Sequence, residues 1–169
     1  MRRLTKTAAS AASVLAIAAL AGLGASSGSA AAGYGIASGQ SRSAATAASA
    51  ARIAVGKSSL GRILVTGQGR SVYLFEKDDR KASTCYGACA SAWPPVTTSR
   101  APIATKGVVV ALLGTRKRRD GTLQVTYNGH PLYEYAGDAK AGQTNGQGSN
   151  AYGGAWYVLS PGGTKIDND

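Results

Sequence analysis

The stretch GTLQVTYNGHPLYEY, residues 121–135, alternates apolar and polar side chains on either side of Asn128-Gly129. Such alternation marks half-buried strands, and Asn-Gly between two of them marks a type I′ turn, whose two central residues both need positive φ. A hairpin is therefore predicted, with strands at 122–127 and 132–135. Sixty residues earlier GRILVTGQGRSVYLF, residues 61–75, follows the same grammar around Gly67-Gln68-Gly69.

The likeness extends to individual residues. Val65 and Val125, Thr66 and Thr126, Gly69 and Gly129, Tyr73 and Tyr133, Phe75 and Tyr135, and Asp78 and Asp138 all stand 60 apart. Trp93 and Trp156 stand 63 apart, so the second copy carries three extra residues before its tryptophan. This is an internal duplication. A two-stranded hairpin is marginal in water, whereas two copies packed together bury a shared apolar face. The predicted fold is mostly β, one compact domain of two pseudo-symmetric hairpin-based repeats with a short helical turn around the cysteine pair. Side chains two apart on a strand share a face, which puts Tyr73 and Phe75 on one side and Val72 and Leu74 on the other. Asp78 and Asp138 fall just beyond their strands, where a short carboxylate accepts amide hydrogen bonds and holds a turn. Two copies of one motif favour scaffolding over a site made twice. Further strands are predicted within the apolar run Val108–Leu113, as a buried strand, and at 156–160.

Upstream the composition changes. Arg2, Arg3 and Lys6 precede the apolar run AASVLAIAALAGL and the small residues GASSGSAAA, the pattern of a secretory signal peptide at residues 1–32. The run is shorter than the ~20 apolar residues a permanent span needs, so no membrane span is expected after its removal. Residues 33–59 are rich in Ala, Ser and Gly and are read as a flexible linker, with a frayed helix an option from Ser43 to Ile53. The domain is placed at 60–163, with repeats at about 60–98 and 120–163, followed by a fraying tail at 164–169. Removing residues 1–32 takes three of the net +11 charges and leaves +8. A basic exported protein is suited to anionic wall polymers, acidic glycans or lipid head groups, with nucleic acid not expected as a partner; the charge also serves solubility.

Cys85 and Cys89 are the two cysteines, in TCYGACASAWPP. Export and an even count favour one disulfide, a structural staple, with Thr84 capping a helical turn through Ser91 and Gly87 letting the turn tighten. The alternative is a redox or metal-handling pair, although C-x-x-C spacing and a four-ligand zinc set are both lacking. No metal or other cofactor is expected. His130, on the hairpin tip, has no matching nucleophile motif, and no catalytic residue is assigned. Arg116, Lys117, Arg118 and Arg119 form a run suited either to an anion or to a solvated rim. The glycine-rich segment Gly142–Trp156 lacks the features of a phosphate loop, but its amides, with Tyr152 or Trp156 as a stacking face, suit a sugar.

Taken together, YLFEKDD with CYGACASAWPP, then GTLQVTYNGHPLYEYAGD, NGQG and YGGAWYVLSP, resemble the bacterial "secreted repeat of unknown function" family, predicted lipoproteins with a Tyr-x-(Phe/Trp/Tyr)-x-x-Asp motif. The resemblance covers about residues 60–163 and implies an envelope or extracellular module whose activity is not established. Two departures matter. This chain has no cysteine at the cleavage point to accept a lipid, so a free or wall-associated protein is expected rather than a lipoprotein. Gln143 stands where members often carry an acidic residue, which weakens any metal site in that loop. The expected function is a non-enzymatic secreted binding or structural module, with an anionic or carbohydrate wall partner. A third reading, a hydrolase, requires Asp78 and Asp138 to share an open cleft.

Overall fold

The structure is a computed structural model and describes residues 49–80, 82–105 and 107–167. The stretches read as signal peptide and most of the linker lie outside the described residues. The architecture is mostly β, in small sheets.

The first sheet holds β1 (Arg52–Ser58), β2 (Gly61–Thr66) and β5 (Ile103–Ala104), in the order β2-β1-β5. The second holds β3 (Tyr73–Phe75), β9 (Ser149–Ala151) and β10 (Gly154–Val158), in the order β3-β10-β9. The third joins β4 (Thr97–Thr98), β6 (Leu113–Lys117) and β7 (Leu123–Tyr127), in the order β4-β7-β6, with β8 (His130–Pro131) also on β7.

The duplication governs how these sheets are assembled. In the first copy β1 pairs antiparallel with β2, and in the second β6 pairs antiparallel with β7. Each copy then gives its closing segment to the other. Val158 of the second copy pairs with Tyr73 of the first, and Pro95 of the first bridges Tyr133 of the second, the same relation displaced by 60 and 63 residues. Tyr73 and Tyr133 meet on the pseudo-twofold axis, where each backbone N–H donates to the other's carbonyl, at 2.8 and 3.0 Å. The two hairpins are thus interlocked rather than laid side by side.

Two clusters form the core. Tyr73, Phe75, Trp93, Tyr133, Trp156 and the cysteines occupy one, while Val72, Leu74, Ile53, Val125 and Leu132 belong to the other, as the two-residue period of the strand requires. Trp93 and Trp156 stack at 4.0 Å between centroids, with Phe75 on Trp156 at 4.0 Å and Tyr135 on Trp93 at 4.4 Å. Offset ring contacts of this kind add about 0.5–1.5 kcal/mol each beyond the area they bury.

Several expectations are corrected. The linker does not reach Ser59, because β1 occupies Arg52–Ser58 and lays Ile53 fully into the core. Gly56 interrupts the alternation there because a Cβ would lie 2.8 Å from Val65 Cγ1. The second copy likewise begins by Leu113, where β6 starts, and not near residue 120. Val108–Leu113 is not a buried strand: Val110–Leu112 is a 3-10 turn, and Val109 and Val110 are 46% and 72% exposed. Thr84 does not cap the helix. That helix, α1, spans Ala88–Ala92 behind Gly87, whose φ of 57° is left-handed. Cys85 therefore lies before the helix, and the pair is not an i, i+4 pair on one helical face. The tail is held through Asp167, with Ile166 N–H donating to Val158 O and Lys165 paired to Glu76.

The Asn128-Gly129 turn is as predicted, with φ of 49° and 80° joining Tyr127 to its partner His130.

Candidate functional site

The repeated motif forms a buried lock. Tyr133 Oη donates to Asp78 Oδ2 at 2.5 Å, and Tyr73 Oη donates to Asp138 Oδ2 at 2.6 Å. The second oxygen of each carboxylate accepts from its own turn: Thr84 N–H and Oγ1 at 2.7 Å for Asp78, and Asn145 N–H at 2.9 Å for Asp138. Burial, reinforced by the neighbouring carboxylates, pushes both phenols well above their ordinary range. Asp78 and Asp138 are 2% and 1% exposed. Each carboxylate is fully engaged inside the core, so the pair does not share an open cleft and the hydrolase reading falls. Position-60 spacing revealed the residues; only the fold reveals that the tyrosine of one copy meets the aspartate of the other.

Cys85 and Cys89 form a disulfide with Cα atoms 5.3 Å apart, and both residues are buried against the aromatic cluster. No cluster of three or more metal-ligating side chains occurs among the described residues.

The basic run divides. Arg116 and Lys117 are exposed on β6, but Arg118 is 5% exposed and points inward. Its guanidinium donates to Ser83 Oγ and Gln124 Oε1 at 2.7 Å and to Cys85 O at 2.8 Å. It is a buried structural cation and is withdrawn from the anion-binding set. Arg119 lies over the Tyr86 ring at 4.0 Å, a cation–π contact.

His130 sits at its hairpin tip, half-buried. Arg80 Nε, which can only donate, approaches His130 Nε2 at 3.0 Å, so that nitrogen is the acceptor and the neutral ring carries its proton on Nδ1. Burial, and then the Arg80 charge, lower the imidazole below its ordinary value. In the glycine-rich segment Trp156 is fully buried and offers no stacking face, while Tyr152 is 45% exposed at the β9–β10 tip. Tyr152 has φ of 60°, an uncommon conformation for a bulky side chain.

Two open surfaces carry polar groups without partners among the described residues. Lys57 and Arg62 stand directly opposite each other across β1 and β2, beside a cavity of about 510 Å³ also lined by Val55, Gly56 and Gly107. Neither side chain makes an ion pair or hydrogen bond to a described residue, although like charges opposite one another are destabilising. The other is a polar cleft of about 490 Å³ where residues 49–52, the first hairpin tip at 66–68, residues 95–97 and Glu134 converge. Sequence reading missed both: the cleft combines segments that meet only through the interlocked pairing, and Lys57 lies on β1, within the stretch read as linker.

The geometry defines a duplicated, disulfide-stapled β module. The family model described as "Secreted repeat of unknown function" matches residues 54–97 and 114–160, and the chain belongs to that family. Neither a curated protein nor a solved structure matches the chain. No helix among the described residues is long and apolar enough to cross a membrane.

Proposed function

We propose that this secreted protein is a non-enzymatic binding module of the bacterial cell surface, whose partner is an anionic polymer or acidic glycan of the wall. The observation that carries the reading is the Lys57–Arg62 pair beside an open cavity, with no counter-charge among the described residues. A polyanion supplies the counter-charge that the fold withholds. The wider surface is consistent with this, since Asp78 and Asp138 are buried while Arg118 is the buried cation. Among the described residues burial removes two acids and one base, which makes the charge left outside the core one unit more positive. Arg116 and Lys117 extend the basic surface on the second copy, Lys117 being the counterpart of Lys57.

Co-sedimentation with purified anionic wall polymer tests the reading. Binding at low salt that weakens as salt screens the charges, and that falls in the Lys57→Glu/Arg62→Glu protein, is the expected result. No binding at low salt, or binding indifferent to that double substitution, rejects it.

A further inference from the structure

Side chains alternate along β1, so Ile53, Val55 and Lys57 share one face, and Leu64 and Arg62 continue it on β2 opposite Val55 and Lys57. Ile53 and Leu64 are buried there in the second core cluster, with Val55 packed against it. Lys57 and Arg62 are therefore the cationic end of an otherwise apolar face. The segment after β5 covers the apolar part: Val108, Leu112 and Leu113 pack against the same cluster, and a Cβ on Gly107 would lie 3.1 Å from Val55 Cγ2 and 3.3 Å from Arg62 Nη2.

Val109 and Val110 stand on the outer side of that cover, 46% and 72% exposed, with Ala111 exposed beside them. Their exposure is built in. Val108 N–H donates to Thr105 O at 3.1 Å, Val109 N–H to Tyr127 Oη at 3.0 Å and Leu112 N–H to Val109 O at 3.0 Å, which pins the turn on both sides. Val110 follows Gly107 by three residues, a reach of at most about 11 Å, so the apolar tip and the Arg62 guanidinium are neighbours.

We propose that this face attaches the protein to an anionic lipid bilayer, with Val109 and Val110 entering the head-group boundary while Lys57 and Arg62 pair with lipid phosphates. A hydrophilic wall polymer has use for the cations alone. A protein partner fits less well: two valines on a turn fall far short of the roughly 800 Å² that each side of a stable interface buries, and the cores of such interfaces are depleted of charge. Apolar tip and cationic pair are each modest, so the attachment is reversible and requires both. The basic pair is shared with the wall-polymer reading, whereas the valines belong to this proposal alone.

Co-sedimentation of the secreted protein with vesicles tests this. Pelleting is expected with phosphatidylglycerol-containing vesicles and not with pure phosphatidylcholine, weakened at least about five-fold by Lys57→Ala/Arg62→Ala and at least about ten-fold by Val109→Ser/Val110→Ser. The valine variant should bind purified anionic wall polymer as the parent does. Both valines are exposed, so it is expected to fold, and circular dichroism checks that it does. A polarity-sensitive dye on Val110→Cys should shift to the blue on anionic vesicles. No pelleting on anionic vesicles, or pelleting that the valine substitutions leave unchanged, overturns the proposal even where polymer binding holds. Loss of polymer binding with valine-dependent pelleting intact overturns the wall-polymer reading instead.

Discussion

Tyr133 donates to Asp78 at 2.5 Å while its repeat counterpart Tyr73 donates to Asp138 at 2.6 Å, so each tyrosine is answered by the aspartate of the other copy. Removing either hydroxyl leaves a buried carboxylate oxygen short of a donor. Tyr73→Phe and Tyr133→Phe should each cost about 1–3 kcal/mol, measured by denaturant unfolding. Losses below about 0.5 kcal/mol for both would show that the locks contribute little.

The exchange has a second consequence, for the halves as separate chains. Residues 49–98 lack β10 as a partner for β3, and residues 99–167 lack Pro95 as a partner for Tyr133. Neither fragment should fold alone, whereas mixing the two should restore the near-ultraviolet signal of the stacked tryptophans. A fragment that folds independently would contradict the interlocked assembly.

Alkaline pH should unfold the protein through the same tyrosines. Both phenols are raised from about 10 by burial and by their carboxylate neighbours, so the folded state holds their protons more tightly than the unfolded state does. Their contribution is complete below pH 10 and is lost as pH rises above it. Stability measured from pH 8 to 11 should fall only in the upper part of that range. The double Tyr→Phe variant should show a smaller fall.

The legible part of the fold was what local chemistry dictates. The two-residue period sorted Tyr73 and Phe75 from Val72 and Leu74, and Asn128-Gly129 announced its turn. Where long-range packing decided, local reading failed. β1 was hidden because Ala-rich sequence runs up to it and Gly56, demanded by Val65, breaks its alternation. Val109 and Val110 are apolar yet exposed, and Arg118 is charged yet buried, since Ser83, Gln124 and Cys85 supply its acceptors from elsewhere in the chain. The candidate cleft was illegible for the same reason: residues 66–68 and 95–97 meet Glu134 across the exchanged halves.

Within the basic run the consequences of substitution should therefore separate. Arg118→Ala removes the donor shared by Ser83, Gln124 and the Cys85 carbonyl, and should cost about 2–4 kcal/mol. Lys117→Ala, on an exposed strand position, should change stability by less than about 0.5 kcal/mol. Thermal or denaturant unfolding of both variants decides; equal effects would mean that Arg118 is not the anchor its contacts describe.

The disulfide closes a loop of only four residues' separation, so chain entropy limits its contribution to about 2 kcal/mol. Its burial against the aromatic cluster matters more for chemistry, since a thiolate must reach a sulfur to exchange with it. The native protein should resist mild reductant and lose the bridge only under conditions that also unfold it. Cys85→Ser/Cys89→Ser should lower stability while leaving binding to wall polymer unchanged. Mass spectrometry after alkylation of the native protein reads the outcome. Ready reduction in the folded state would turn this staple into a redox pair and revive the alternative reading of Cys85 and Cys89.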